Sequence, residues 1–188
     1  MAFWNSVADV DPKRNFRFKV QFSELNTEMG DTTGVVWWAK KVGKPNFTVT
    51  ESKHSFLNHT YYWPGRVEWQ EITMTLVDPV TEGAVKGLNT IIQNAGYKIP
   101  GQPTQLTSMS KAKSNTSIGT IVITQIDSDG KELEAWTLHA PFIKSIKYGE
   151  LDYENDELTQ IEIGLRYDWA VCTIDGVDQF AEEAGSGG

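Results

Sequence analysis

Apolar and polar residues alternate with period two along much of this chain, and such stretches predict strands. Phe16, Phe18, Val20 and Phe22 alternate with Arg17, Lys19 and Gln21, which predicts a half-buried strand. Ser23 to Gly34 reads as a loop, and Val35-Val36-Trp37-Trp38-Ala39 as a second strand, apolar on both faces. Gly43-Lys44-Pro45 breaks that strand. Phe47, Val49 and then Phe56 to Trp63 predict short strands or an extended loop rich in aromatics, with Pro64-Gly65 as a turn. Val67 to Val77 predicts one strand whose phase slips near Gln70-Glu71. The slip implies either a bulge or a strand covered on different faces in different places.

Asp78-Pro79 is a helix start, because Asp caps well and Pro is tolerated at the first helical position. Val80, Ala84, Leu88, Ile91, Ile92 and Ala95 follow at helical spacing, so a helix is expected over about 79–95, with Gly96 as its stop. Gly83 and Gly87 weaken it. Residues 97–117 read as a long polar loop. Thr120 to Ile126 and Leu133 to His139 flank Asp127-Ser-Asp-Gly130, a hairpin signal, and Phe142 to Tyr148 is a further strand. After a turn at Asp152 to Asp156, alternation from Ile161 to Val171 predicts one long strand. The fold class expected is mainly β: a two-sheet antiparallel β-barrel or sandwich with one flanking α-helix. Residues 1–174 form one domain, and 175–188 an acidic, Gly-rich tail.

Composition sharpens this picture in one respect. The net charge of −8 over 188 residues argues against a sequence-reading DNA binder and against docking on anionic membrane. That charge is uneven. Residues 150–188 hold eleven acids against Arg166 alone, a net −10, while residues 1–149 carry +2. Such asymmetry marks an interaction surface, an acidic tail or a solvated face. The single Cys172 excludes an internal disulfide framework. The first residues lack a basic and then apolar leader, so no secretory signal is expected, and no apolar run is long enough to anchor the chain in a membrane.

No catalytic motif is present, and neither catalysis, a metal nor a cofactor is expected. His54 and His59, if on one strand, would face opposite ways, which is poor for shared metal ligation. Asp152, Glu154, Asp156 and Glu157 lack the glycine and bidentate Glu of a calcium loop. Cys172 at a strand end reads as structural. Tyr61-Tyr62-Trp63 stands apart, because neighbouring strand residues alternate faces and one core cannot take all three. A protein partner, the chain's own helix or a sugar would cover them.

Several stretches, in order, resemble the tail tube proteins of contractile-tailed, T-even-like phages over roughly residues 10–172. They are Asn15 to Phe22, Trp38 to Pro45, Tyr62 to Trp69 followed by Thr73 to Asp78, Tyr148 to Asn155, and Gln160 to Trp169. The long 97–117 loop and the acidic C-terminal stretch depart from the pattern. Pyocin and secretion-system tube proteins share the plan. The resemblance implies a two-sheet β-barrel whose copies form hexameric rings, stacked into a hollow tube. The implied partners are other copies, the tail sheath protein, a tape-measure protein, and baseplate and tail-terminator proteins. DNA would pass through the lumen without sequence-specific binding, in a virion tail assembled in the host cytoplasm. Gly43 to Arg66 would be the contact loop between subunits and rings, with Lys40, Lys41, Lys44, Tyr61, Tyr62, Trp63 and Arg66 as its contact residues. Glu162 and Asp168 would be acids facing the lumen or the sheath. A tube-initiator baseplate protein of the same fold is a close variant. A carbohydrate-binding β-sandwich using Tyr61, Tyr62 and Trp63 is the alternative from another class.

Overall fold

The computed structural model describes residues 12–23, 38–80, 84–101 and 107–179. In chain order its elements are β1 (Phe18–Phe22), β2 (Ala39–Val42), β3 (Phe47–Phe56), β4 (His59–Trp69), β5 (Ile72–Val77), α1 (Ala84–Asn94), α2 (Lys111–Ile118), β6 (Ile121–Ile126), β7 (Glu132–His139), β8 (Phe142–Lys147), β9 (Gln160–Arg166), β10 (Trp169–Ile174) and β11 (Val177–Asp178). The strands make a five-stranded sheet, β1-β6-β7-β10-β11, a four-stranded sheet, β2-β5-β9-β8, and a separate two-stranded ribbon, β3-β4. Every pairing is antiparallel. The expected mainly β class holds. Of the two architectures, the described strands form the sandwich, since both larger sheets keep open edges.

One apolar cluster joins the layers. Val20, Phe22, Ile121, Ile123 and Leu138 come from the five-stranded sheet; Met74, Leu76, Ile161, Ile163 and Leu165 come from the four-stranded one. Ala84, Leu88 and Ile91 of α1 and Ile118 of α2 join the same cluster. Period-two apolar rows thus face one another across the sandwich, as half-buried sheets require.

Two expected long strands are each split between sheets. Ile161 to Val171 is not one strand: β9 lies in the four-stranded sheet, β10 in the five-stranded one, with Tyr167-Asp168 between them. The buried parity inverts there. Ile161, Ile163, Leu165 and Tyr167 are buried, whereas Trp169 is exposed and Ala170 and Cys172 point inward. The β7–β8 crossover sits at the same corner, where the Asp168 N–H donates to His139 O at 3.0 Å. Val67 to Val77 is likewise two strands, and the phase slip at Gln70-Glu71 is the junction between the ribbon and the sandwich.

The helical region differs in two places. Helix α1 is described from Ala84, not Pro79, and Val80 is fully exposed ahead of it. Asp78 still serves the helix, accepting the Ala84 N–H on its carboxylate at 3.1 Å. The predicted stop is as expected. Gly96 holds φ 113°, with Gly96 N–H to Gln93 O at 3.0 Å and Tyr97 N–H to Ile92 O at 3.1 Å, the double bond pattern of a Schellman end. A Cβ there would also strike the Ser108 carbonyl. Gly96→Ala is therefore expected to cost about 1–2 kcal/mol, read as a lower urea midpoint at unchanged slope. An unchanged midpoint would refute it.

Within 97–117, read as loop, the chain forms α2, capped by Ser110 Oγ accepting the Lys113 N–H at 3.3 Å. Only Ser114 and Ile118 of α2 are buried, so no apolar stripe announces it in sequence. Residues 24–37, which hold most of the expected loop and second strand, lie outside the described residues, as do 102–106 and 180–188. Within the stretch read as tail, Val177-Asp178 pair with Ile174 and Thr173 as β11.

Candidate assembly surface

The ribbon is built from two runs rich in Thr, Val and aromatics joined by Leu57-Asn58, with Phe56 opposite His59. Leu57 takes φ 51° and is 87% exposed at the tip. Pro64-Gly65 is not the expected turn; it lies inside β4. Register runs Val49–Val67 and then Glu51–Pro64, so Gly65-Arg66 together oppose Thr50. This bulge is held by the Arg66 N–H donating to Thr50 Oγ1 at 2.8 Å. The residue must be Gly, because a Cβ on Gly65 would collide with that hydroxyl and stand 2.9 Å from the Thr50 carbonyl oxygen.

The extra residue moves the ribbon's apolar surface from one side to the other. Near the root, Phe47, Val49, Val67 and Trp69 share a face. Beyond the bulge that face continues as Glu51, Lys53, Ser55, Thr60, Tyr62 and Pro64. The opposite face carries His54, Phe56, His59, Tyr61 and Trp63 around Ser52. His54 and His59 therefore share a side, against expectation, because the turn at Leu57-Asn58 places them on paired strands. The His54 and Trp63 rings are 6.4 Å apart and the Tyr61 and Trp63 rings 6.2 Å, both tilted.

Only the root is seated on the sandwich. Trp69 meets Phe47 edge-on at 5.1 Å and buried Tyr167 at 5.9 Å. Burial pushes the Tyr167 phenol up. Every other ribbon residue is exposed, including Tyr61 (51%), Tyr62 (62%) and Trp63 (51%). Among the described residues, neither helix covers them. Nor do the three rings form one sugar platform, since Tyr62 faces away from Tyr61 and Trp63.

The basic candidates divide. Lys44 is engaged inside the chain, bonded to Gln125 Oε1 at 2.7 Å and ion-paired with Glu134. Glu134, which the sequence did not flag, also holds Lys13 and the Trp136 indole N–H. Burial alone would raise its carboxyl, but the two ammonium groups and the indole outweigh that and hold it at about 2. Lys44 follows β2 and Glu134 is on β7, so this cluster ties one sheet to the other. Lys40 and Lys41 lie exposed on β2, and Lys40 is the extra residue of a β2 bulge. The other edge strand, β8, has its extra residue at Lys144. Bulges and lysines on edge strands hinder uncontrolled pairing. Arg66 is exposed at the ribbon bulge and has no ion pair among the described residues.

The two candidate acids do not share a face. Glu162 lies on the outer side of β9 and pairs with Lys147 at 2.7 Å, which raises that lysine. Asp168 lies in the β9–β10 corner and pairs with Lys111 at the start of α2. At the far end of β9 the loop from Gly149 to Thr159 exposes Leu151 (90%), Tyr153 (110%) and Leu158 (69%) between its acids. Neither Leu151 nor Tyr153 was flagged from sequence; their clue was apolar residues at alternate positions in an acidic run. Cys172 is buried and its thiol pushed up by burial, then by Glu134. Among the described residues, no His, Cys, Asp or Glu cluster could hold a metal, and no helix is long and apolar enough to cross a membrane.

No protein-family model matches the sequence, and no curated protein matches it. Solved structures do match in fold. A chain of the sheath-tube complex of an extracellular contractile injection system, PVC, aligns over 93% of this chain and 99% of its own, at 15% identity and TM-score 0.59. A chain of the PVC sheath/tube terminator aligns over 88% and 99%, at 17% identity and TM-score 0.63. A chain of the anti-feeding prophage baseplate aligns over 87% and 97%, at 12% identity and TM-score 0.62. The protein has the fold of tube, terminator and baseplate components of contractile injection systems.

Proposed function

We propose that this protein is a non-catalytic structural subunit of a contractile-tail tube, in which copies close into hexameric rings and rings stack inside a sheath. The observation that carries the proposal is the β3-β4 ribbon. A two-stranded ribbon is at best marginally stable alone, yet this one is exposed on both sides and shifts its apolar surface from one side to the other at the bulge. Its two sides are completed by neighbours in an assembly. The likeness to tube-complex chains supports that assembly type.

In this reading the domain spans roughly residues 1–174, followed by an acidic, Gly-rich tail over 175–188. The four-stranded sheet offers β2 and β8 as edges that neighbouring subunits pair, which removes the edge hazard. Sheath, tape-measure, terminator and baseplate proteins are the partners, and DNA is the cargo of a phage-tail version, in a virion assembled in the host cytoplasm. Glu162 is neutralised by Lys147 and so adds little repulsion to any lumen wall. A tube-initiating baseplate role is the second reading, favoured by the likeness to the baseplate chain.

Negative-stain microscopy of the purified protein tests both. Six-fold rings extending into tubes are expected; rings that never extend favour the initiator. A monomer at high concentration, without rings, would overturn the proposal.

A further inference from the structure

We infer that His54 and His59 form an open site for a divalent transition-metal ion, Cu(II) ahead of Ni(II) and Zn(II), on one side of the ribbon tip. The site belongs to the single chain and stands apart from the assembly proposed above. His54 lies opposite Tyr61 of β4, and His59 lies opposite Phe56 of β3. The two imidazoles are therefore diagonal neighbours, on adjacent strands and on one face. Such neighbours stand about 7–8 Å apart, with their β carbons somewhat closer. Each ring can turn inwards from there, so one ion between them meets a nitrogen of each at about 2 Å.

Two features make the pair more than two surface histidines. First, the backbone sets their spacing. In the row between them, on the opposite face, the Ser55 and Thr60 hydroxyls are 3.2 Å apart, and the Leu57-Asn58 turn closes the end. Both imidazoles are exposed, and neither has a hydrogen-bond or ion-pair partner among the described residues. Binding therefore orders two rings, breaks no existing bond and leaves the backbone as it is. Second, the face offers nitrogen ligands in particular. Beyond the bulge its other members are Ser52, Phe56, Tyr61 and Trp63. Imidazole suits Cu(II), Ni(II) and Zn(II), whereas Mg and Ca prefer carboxylates and Cu(I) prefers sulfur. No group of three or more His, Cys, Asp or Glu that could hold a metal exists among the described residues, so this is not a closed site. Two imidazoles leave the remaining positions to water, which favours the ion at the top of the divalent affinity order, Cu(II).

Calorimetric titration of the untagged, full-length chain with Cu(II) tests the site. One ion per chain is expected, with electron paramagnetic resonance showing coupling to two imidazole nitrogens. His54→Ala and His59→Ala should each weaken binding at least tenfold, because losing even an outer partner of a ligating imidazole costs about 10–100-fold. All the substituted ribbon residues are exposed, and circular dichroism checks that the fold is kept. The third histidine, His139, is stacked on Trp169, and the double variant reports whatever it binds. Bound Cu(II) should also quench Trp63, whose ring is 6.4 Å from that of His54. Trp63→Phe should remove that part of the quenching while still taking up the ion. Equal affinity in the parent and the double His variant would overturn the site. So would a loss in only one single variant, which marks one imidazole acting alone, or quenching that persists in full in Trp63→Phe.

Discussion

Replacing Tyr61 and Trp63 together by alanine is expected to abolish assembly while leaving the subunit folded. Both rings are about half exposed and touch each other and His54, not the sandwich core. The isolated subunit therefore loses little packing, and its thermal midpoint should move by no more than about 2–4 °C. The assembled state loses two aromatic anchors, each on the order of 2 kcal/mol at an interface centre, so the threshold concentration should rise at least a hundredfold. Sedimentation velocity reads the assembly and circular dichroism the fold. Tyr62→Ala reads the other side of the ribbon separately, because Tyr62 points away from Tyr61 and Trp63. If the double variant assembles like the parent, the ribbon tip is not a contact. If its midpoint falls steeply, the ribbon contributes to the fold in a way its exposure does not explain.

The second large effect concerns Glu134. Its folded carboxyl is held at about 2, against an ordinary 4.5. A depressed carboxylate contributes stability that is present above pH 4.5 and lost as pH falls from there towards 2. The full difference would be about 3 kcal/mol at 1.36 kcal/mol per pH unit. The Glu134 side chain is only 11% exposed, but Lys13 and Lys44 are about half exposed, so screening reduces the figure to about 2 kcal/mol. Glu134→Gln should therefore lower the urea-derived stability at pH 7 by about 2 kcal/mol. It should also flatten the fall in stability between pH 5 and 3. Parent and variant losing stability in parallel across that range would show that Glu134 does not tie the sheets together.

Much of the sandwich was legible because period-two patterning is a local property of the chain. Phe18 to Phe22, the Asp127-Ser-Asp-Gly130 hairpin and the Gly96 stop all appear where the residues place them. The errors fall where local pattern and long-range geometry part. Ile161 to Val171 alternates without a break, yet the chain changes sheets at Asp168, and alternation alone does not report which sheet an apolar residue faces. Helix α2 has no apolar stripe and was invisible. Lys44 reads in the sequence as a surface cation at the base of a contact loop, because its partner Glu134 lies ninety positions away.

The assembly surface divides in the same way. Sequence alone determined that Tyr61, Tyr62 and Trp63 cannot share one core, because adjacent strand residues point oppositely. It also determined that the acidity belongs to the last fifth of the chain. That Gly65 bulges β4 and moves the apolar surface from one side of the ribbon at its root to the other at its tip, and that the Leu57-Asn58 turn sets His54, Phe56 and His59 beside Tyr61 and Trp63, came only from the fold. It alone put the ribbon and the acidic loop at opposite ends of β5 and β9. The physical reason is that face and register are set by hydrogen bonds between distant segments, here the Thr50 hydroxyl against Arg66, and no single run of residues contains both partners.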